Sequence, residues 1–256
     1  MRSSLVASDS LVLSYSKPLT NISADKLDHS DLGAGGRALA FKPDDETVYI
    51  VGTEEGLIHL CTTEFSSRVV RTFPAHSTPI YTLQWNSFLP SVFISCAAEW
   101  SLKIWHMDSS EPLYTFDLSS PAGDVAWAPY SRSVLNIPLG NFIFSFSTTF
   151  AAVTYDGKVH VYDLHFDRYN PVCVQQIVKS PRYKLNHISF NPSFPIIIVG
   201  DCQGRVVSLK LSPNLRKQAK DVKVALISKD TRKAGILEVK KLTDLLSQVR
   251  YEPDME

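Results

Sequence analysis

Between Ser91 and Trp105 the chain reads SVFISCAAEWSLKIW: a β-branched and aromatic run, a polar break at Ala98-Glu99-Trp100, and a second alternating run closed by Trp105. Alternation of period two marks half-buried strands, and a break of that size is a hairpin turn. The run Ile80–Asn86 (IYTLQWN), introduced by His76, lies upstream, and Leu113–Leu118 (LYTFDL) lies downstream. The same unit recurs along the chain. Third strands begin at Gly56-Leu-Ile-His-Leu-Cys61, Trp100-Ser-Leu-Lys-Ile-Trp105, Gly157-Lys-Val-His-Val-Tyr162 and Gly204-Arg-Val-Val-Ser-Leu209. First strands align at Ala38–Phe41, Tyr81–Trp85, Asp124–Trp127 and His187–Phe190, each ending in an aromatic, and Pro43, Pro129 and Pro192 follow three of them.

A repeated four-strand unit predicts an all-β fold, a β-propeller of about four blades, which is a partial ring. The blades are expected at 37–74, 75–118, 121–177 and 185–211, after a polar, partly disordered lead-in over 1–36 in which Leu11–Ser16 could form one strand. In three blades the first-strand aromatic and the turn residue stand 15, 15 and 14 positions apart, whereas Trp127 and Gly157 are 30 apart. The surplus sits near Leu135–Thr149 (LNIPLGNFIFSFSTT), between first and second strands. It is apolar where loops are polar, and packing onto a face, partner binding and poor folding are all open to it. The fourth blade lacks an obvious fourth strand, for which Val222–Ile227 is a candidate.

The tail changes character. A basic linker is expected over 212–234, with Arg216, Lys217, Lys220, Lys223, Lys229, Arg232 and Lys233 against Asp221 and Asp230; it reads as a solvated stretch or a binding patch. Ile236, Val239, Leu242, Leu246 and Val249 then form one apolar stripe, which predicts a C-terminal amphipathic helix over 235–250. The stripe could pack on the chain's own sheets or on another subunit.

Charge and chemistry narrow the functional classes. Lys+Arg and Asp+Glu are both 26, so no global field draws the chain to nucleic acid or membrane. No apolar run reaches the roughly 18 residues of a membrane span. Cys61, Cys96, Cys173 and Cys202 show no CxxC spacing, which suits small buried thiols in a reducing compartment, the cytoplasm or its extensions. No phosphate loop, HExxH or GxSxG elbow is present. Asp156-Gly157-Lys158 reads as a hairpin turn, and the matched His59 and His160 as a structural slot. No catalytic residue, cofactor site or metal site is expected.

Two features point to surfaces instead. His76 at a blade entrance and Trp105 at a blade end resemble a propeller arrangement in which His, acid and Ser/Thr form a buried polar chain to the indole. Glu99 stands where Asp is usual there, so the network is expected to be altered. Trp100 occupies the turn position that is Gly56, Gly157 and Gly204 in the other blades. A large aromatic at a hairpin tip is either tucked against a neighbouring blade or exposed as an interface anchor. Trp100, Glu99, Asp156 and Asp201, all at second turns, are the candidate partner-binding residues.

Several stretches together resemble the WD-repeat region of the dynein intermediate chains: Val51-Gly-Thr-Glu-Glu-Gly56, Glu99–Trp105, Gly123-Asp-Val-Ala-Trp-Ala-Pro-Tyr-Ser131, Asp156–Leu164, Pro195–Asp201 and Ser208–Lys217. The resemblance covers about Thr47 to Arg250. It implies a non-catalytic scaffold of an axonemal outer-arm dynein, with a dynein heavy chain gripped by the propeller. It also implies another intermediate chain, light chains and, indirectly, the doublet microtubule as partners, in the axoneme of a cilium or flagellum. The family has an N-terminal light-chain-binding region and about seven blades, and runs from APYS almost directly into FAAVT. The departures here imply a shortened or alternatively spliced form. A generic WD-repeat adaptor, such as a ubiquitin-ligase substrate receptor, is the alternative.

Overall fold

The computed structural model describes residues 35–64, 69–129, 147–179, 182–192, 194–212 and 231–249. The possible strand Leu11–Ser16, most of the surplus segment, the greater part of the basic stretch and Val222–Ile227 lie outside them.

Four antiparallel sheets follow one another along the chain, each a meander in sequence order. The first holds β1 (Gly36–Lys42), β2 (Asp45–Thr53), β3 (Leu57–Thr62) and β4 (Val69–Pro74); the second holds β5 (Ile80–Trp85), β6 (Val92–Ala97), β7 (Ser101–His106) and β8 (Tyr114–Asp117). The third holds β9 (Ala122–Trp127), β10 (Thr149–Thr154), β11 (Lys158–Asp163) and β12 (Cys173–Gln176). The fourth holds β13 (Leu185–Phe190), β14 (Ile196–Asp201) and β15 (Val206–Lys210). Thr149 opens β10, so the surplus segment ends one residue sooner than its apolar run suggests, and Ser147 and Thr148 before it are buried.

The sheets stand side by side with their first strands innermost: β1 lies against β5, β5 against β9, and β9 against β13. This is the radial packing of propeller blades. Three apolar layers fill the gaps. Ile50, Ile58, Phe73, Phe93 and Trp105 fill the first gap, Ile94, Ile104, Phe116, Phe150 and Tyr162 the second, and Val153, Val161, Ile188 and Ile197 the third. In the first gap Phe93 sits 5.4 Å from Phe73 and 5.2 Å from Trp85, edge to face. Each such pair adds about 0.5–1.5 kcal/mol beyond burial of its area.

Burial along the strands follows from this stacking. Every residue of β6 (VFISCA) and β10 (TFAAVT) is buried, because the second and third sheets are covered on both faces. The outer face of the first sheet leaves Leu39 and Phe41 exposed, and that of the fourth leaves Ile198 and Val206 exposed.

Helix α1 (Thr231–Val249) follows. It starts four residues before the predicted 235–250, inside the expected linker. The apolar stripe that marks the helix in the sequence begins only at Ile236. Leu242 and Leu246 are buried in the core between the second and third sheets, with Leu245 packed beside them. The stripe thus docks on the chain's own sheets, and Ile236 at its start stays exposed.

Candidate interaction surface

In a meander the turn between second and third strands falls at the end where the first strand begins. All four such turns therefore share one rim of the molecule, and Glu99, Trp100, Asp156 and Asp201 all lie on it. Gly56, Gly157 and Gly204 take φ of 86°, 81° and 81° there, the left-handed region that favours glycine.

Glu99 is the hub of a polar chain that runs inward. Its Oε1 accepts from His76 Nδ1 at 2.7 Å and from the Ser101 hydroxyl; its Oε2 accepts from the Ser77 backbone N–H at 3.0 Å and the Ser77 hydroxyl at 2.8 Å. His76 Nε2 meets Ser95 Oγ at 2.7 Å, and the Trp105 indole N–H donates to the same oxygen at 3.0 Å. The chain is continuous with Glu in place of Asp. Burial pushes the Glu99 carboxyl up, but the bonds from Ser101, His76 and Ser77 outweigh it and hold the pKa at about 2. Burial lowers the His76 pKa against the opposing pull of Glu99, which favours a neutral ring. A neutral ring fixes the order: Nδ1–H donates to Glu99 and Nε2 accepts from Ser95.

The other two carboxylates serve their own turns. Asp156 accepts from the Thr154 hydroxyl and pairs with Lys158 at 2.5 Å. Asp201 accepts from the backbone N–H groups of Gln203 and Arg205 and from Arg205 Nε, all at 2.9–3.0 Å. Trp100 differs from these three: it is 58% exposed at the tip of its hairpin, held through its backbone by Leu118 N–H at 2.6 Å. His59 and His160 are buried in their slots, on Thr72 and Thr154 respectively.

Two further groups escaped sequence reading. On the rim, Arg37 lies 5.4 Å over the Tyr81 ring, Tyr81 is hydrogen-bonded to Tyr155, and Lys184 lies 4.8 Å over Tyr155, so that one run of side chains crosses all four sheets. Burial, then Tyr81, push the Tyr155 pKa up to about 12. On the inner strands, Asp124 joins three blades: Thr82 Oγ1 donates to it at 2.6 Å, Ile188 N–H at 2.9 Å, and His187 Nδ1 stands at 2.6 Å. The signal for Asp124 lay in the alignment. Ala38, Thr82, Asp124 and His187 share the slot three residues before the first-strand aromatic, and three are polar in consecutive copies. Among the described residues, no group of three or more His, Cys, Asp or Glu is placed to hold a metal ion.

Residues 67–106 match the family pattern "WD domain, G-beta repeat". The chain is 48% identical over 85% of its length to "Dynein intermediate chain 2, ciliary" of Heliocidaris crassispina. It is 39% identical over 84% of its length to "Dynein axonemal intermediate chain 1" of Bos taurus. It belongs to the dynein intermediate chain family. A third intermediate chain, "Dynein, 78 kDa intermediate chain, flagellar outer arm" of Chlamydomonas reinhardtii, is 40% identical over 74% of the chain. The chain spans 26–28% of the length of these intermediate chains. In fold it is similar to the computationally designed Ika4 protein, with a TM-score of 0.51 and 15% identity over 72% of this chain and 95% of that one.

Proposed function

We propose that this intermediate-chain segment is a non-catalytic scaffold of an axonemal outer-arm dynein, which holds a dynein heavy chain on the rim of second turns. The observation that carries the reading is Trp100. It is a bare indole standing where three sister turns have glycine, on a sheet held rigid by packing on both faces. The intermediate-chain relatives, ciliary and flagellar by name, support a place in an axonemal dynein, and a heavy chain is the partner proposed there. Glu99 supports the turn that presents the indole, Asp156 and Asp201 support the sister turns beside it, and each would have to give up an internal bond to reach a partner. Another intermediate chain and light chains complete the assembly, which reaches the doublet microtubule indirectly in the axoneme.

The test is co-precipitation of dynein heavy chain with the tagged chain from ciliary extract. Trp100→Ala is expected to cut recovery by roughly tenfold or more, as for an aromatic hot spot, while the urea midpoint stays put. Undiminished recovery, or no heavy chain with the parent protein, would refute the reading.

A further inference from the structure

Gly200 in β14 stands four residues before the turn glycine Gly204, and Gly52 in β2 stands four before Gly56. Neither takes a positive φ. Glycine inside a strand weakens it and marks a place where another part of the structure comes close. At Gly52 that approach is visible: an added Cβ would lie 2.7 Å from Ile80 Cγ2 and 3.2 Å from Leu83 Cδ1, both on β5, the first strand of the next sheet. At Gly200 an added Cβ would meet only His187 Cβ among the described residues, at 3.9 Å. We propose that the fourth sheet receives β1 of a second copy, so that two chains close one ring of blades. The contact lies on the two end faces and stands apart from heavy-chain binding on the rim.

The gaps inside the chain show what the missing neighbour looks like. Each first strand packs on the first and second strands of the sheet before it: β5 on β1 and β2, β9 on β5 and β6, β13 on β9 and β10. By that rule the next first strand would lie on β13 and β14. The surface waiting there is apolar. Ile198 and Val206 share the face of Gly200 and are 41% and 70% exposed.

The other end of the chain carries the strand that fits. Leu39 and Phe41 of β1 occupy the slots that Leu83 and Trp85 hold in β5. Leu83 and Trp85 are buried in the first gap, whereas Leu39 and Phe41 are 59% and 52% exposed. Farther out on the same face Val51 and Cys61 are already buried, so β1 is the part left free. Placed on β14 as β5 lies on β2, β1 of a second copy sets Leu39 over Gly200, as Leu83 lies over Gly52. Phe41 then joins the layer of Ile198, as Trp85 shares one with Ile50. The contact is head to tail, and it continues the packing already repeated three times within the chain. Two copies related by a two-fold axis make it twice and bury both end faces of each. Four sheets from each copy give eight blades, inside the range that propellers adopt.

Sedimentation equilibrium of the full chain, in a concentration series up to about 0.1 mM, reads the assembly. A monomer–dimer equilibrium is expected. Gly200→Val adds a side chain whose Cβ has room in the single copy, so the urea midpoint of dilute protein should hold or rise. Dimerisation should nevertheless weaken about tenfold or more, as for a residue at the centre of an interface. Leu39→Asp, at the exposed opposite end, should weaken it to a similar degree. A contact between two fourth sheets would respond to Gly200→Val alone, and one between two first sheets to Leu39→Asp alone; either result would overturn the head-to-tail ring. Monomers throughout the series, a mass that climbs past two copies, or dimers untouched by both variants would overturn it as well.

Discussion

Asp124→Asn isolates the contact that ties three blades together. The amide oxygen can keep the bonds from Thr82 and from Val125 N–H. The amide nitrogen then replaces Oδ2 and meets two donors, Ile188 N–H at 2.9 Å and His187 Nδ1 at 2.6 Å. His187 is exposed and can turn or change tautomer. Ile188 is buried, and its N–H has nowhere to go. The loss combines a buried unpaired donor with the removal of two bonds to a charge, about 3–5 kcal/mol in all. That is a large share of the roughly 5–15 kcal/mol that holds a domain folded. Urea unfolding measures the total from midpoint and slope. Amide exchange locates it: protection of Ile188 and of β13 should fall, while β2 and β3 in the first sheet keep theirs. Thr82→Val, which removes one donor and leaves the carboxylate, should cost about 1.5 kcal/mol, near the lower end for a bond to a charged group. A change under about 1 kcal/mol for Asp124→Asn, or unaltered exchange at Ile188, would refute the clamp.

Stability should fall with acid through the Glu99 chain. The Glu99 pKa drops from 4.5 to about 2 on folding, so its contribution is full above pH 4.5 and is lost between 4.5 and 2. Solvent reaches a fifth of its side chain, which trims the effect to about 1–2 kcal/mol. His76, its pKa lowered by burial, adds to the loss below pH 6.5. The urea midpoint of Glu99→Gln should therefore vary less between pH 5 and about 2.5 than that of the parent, and equal slopes would contradict the assignment. Gly56 and Gly204 share a positive φ but not their surroundings. A Cβ at Gly56 would stand 2.1 Å from the His76 carbonyl oxygen, and one at Gly204 would meet nothing within 4 Å. Gly204→Ala should cost about 1–2 kcal/mol of backbone strain, and Gly56→Ala markedly more; similar denaturation midpoints would be the contrary result.

Strands and turns were legible because sheets that bury their faces write that burial as alternation, and because copying gave four readings of the same rule. The rule also carried the positive-φ turns. It lost ground where burial and periodicity part. The apolar stripe of α1 begins only at Ile236, so it placed the helix four residues late. It had nothing to say about Asp124, whose partners Thr82 and Ile188 lie 42 and 64 positions away. Contacts at that separation depend on which slot of one copy meets which slot of the next. The Glu99 chain stood between these cases: the residue types were visible, but whether a longer acid could span His76, Ser77 and Ser101 depended on distances that only the fold supplies.

Helix α1 is sewn back into the middle of its own molecule. Its Leu245 lies against Tyr114, 131 positions earlier, after the chain has laid down two more sheets. A growing polypeptide would leave the groove between the second and third blades unplugged until α1 had left the ribosome. The same helix from another molecule, offering Leu242 and Leu246, would compete for that groove.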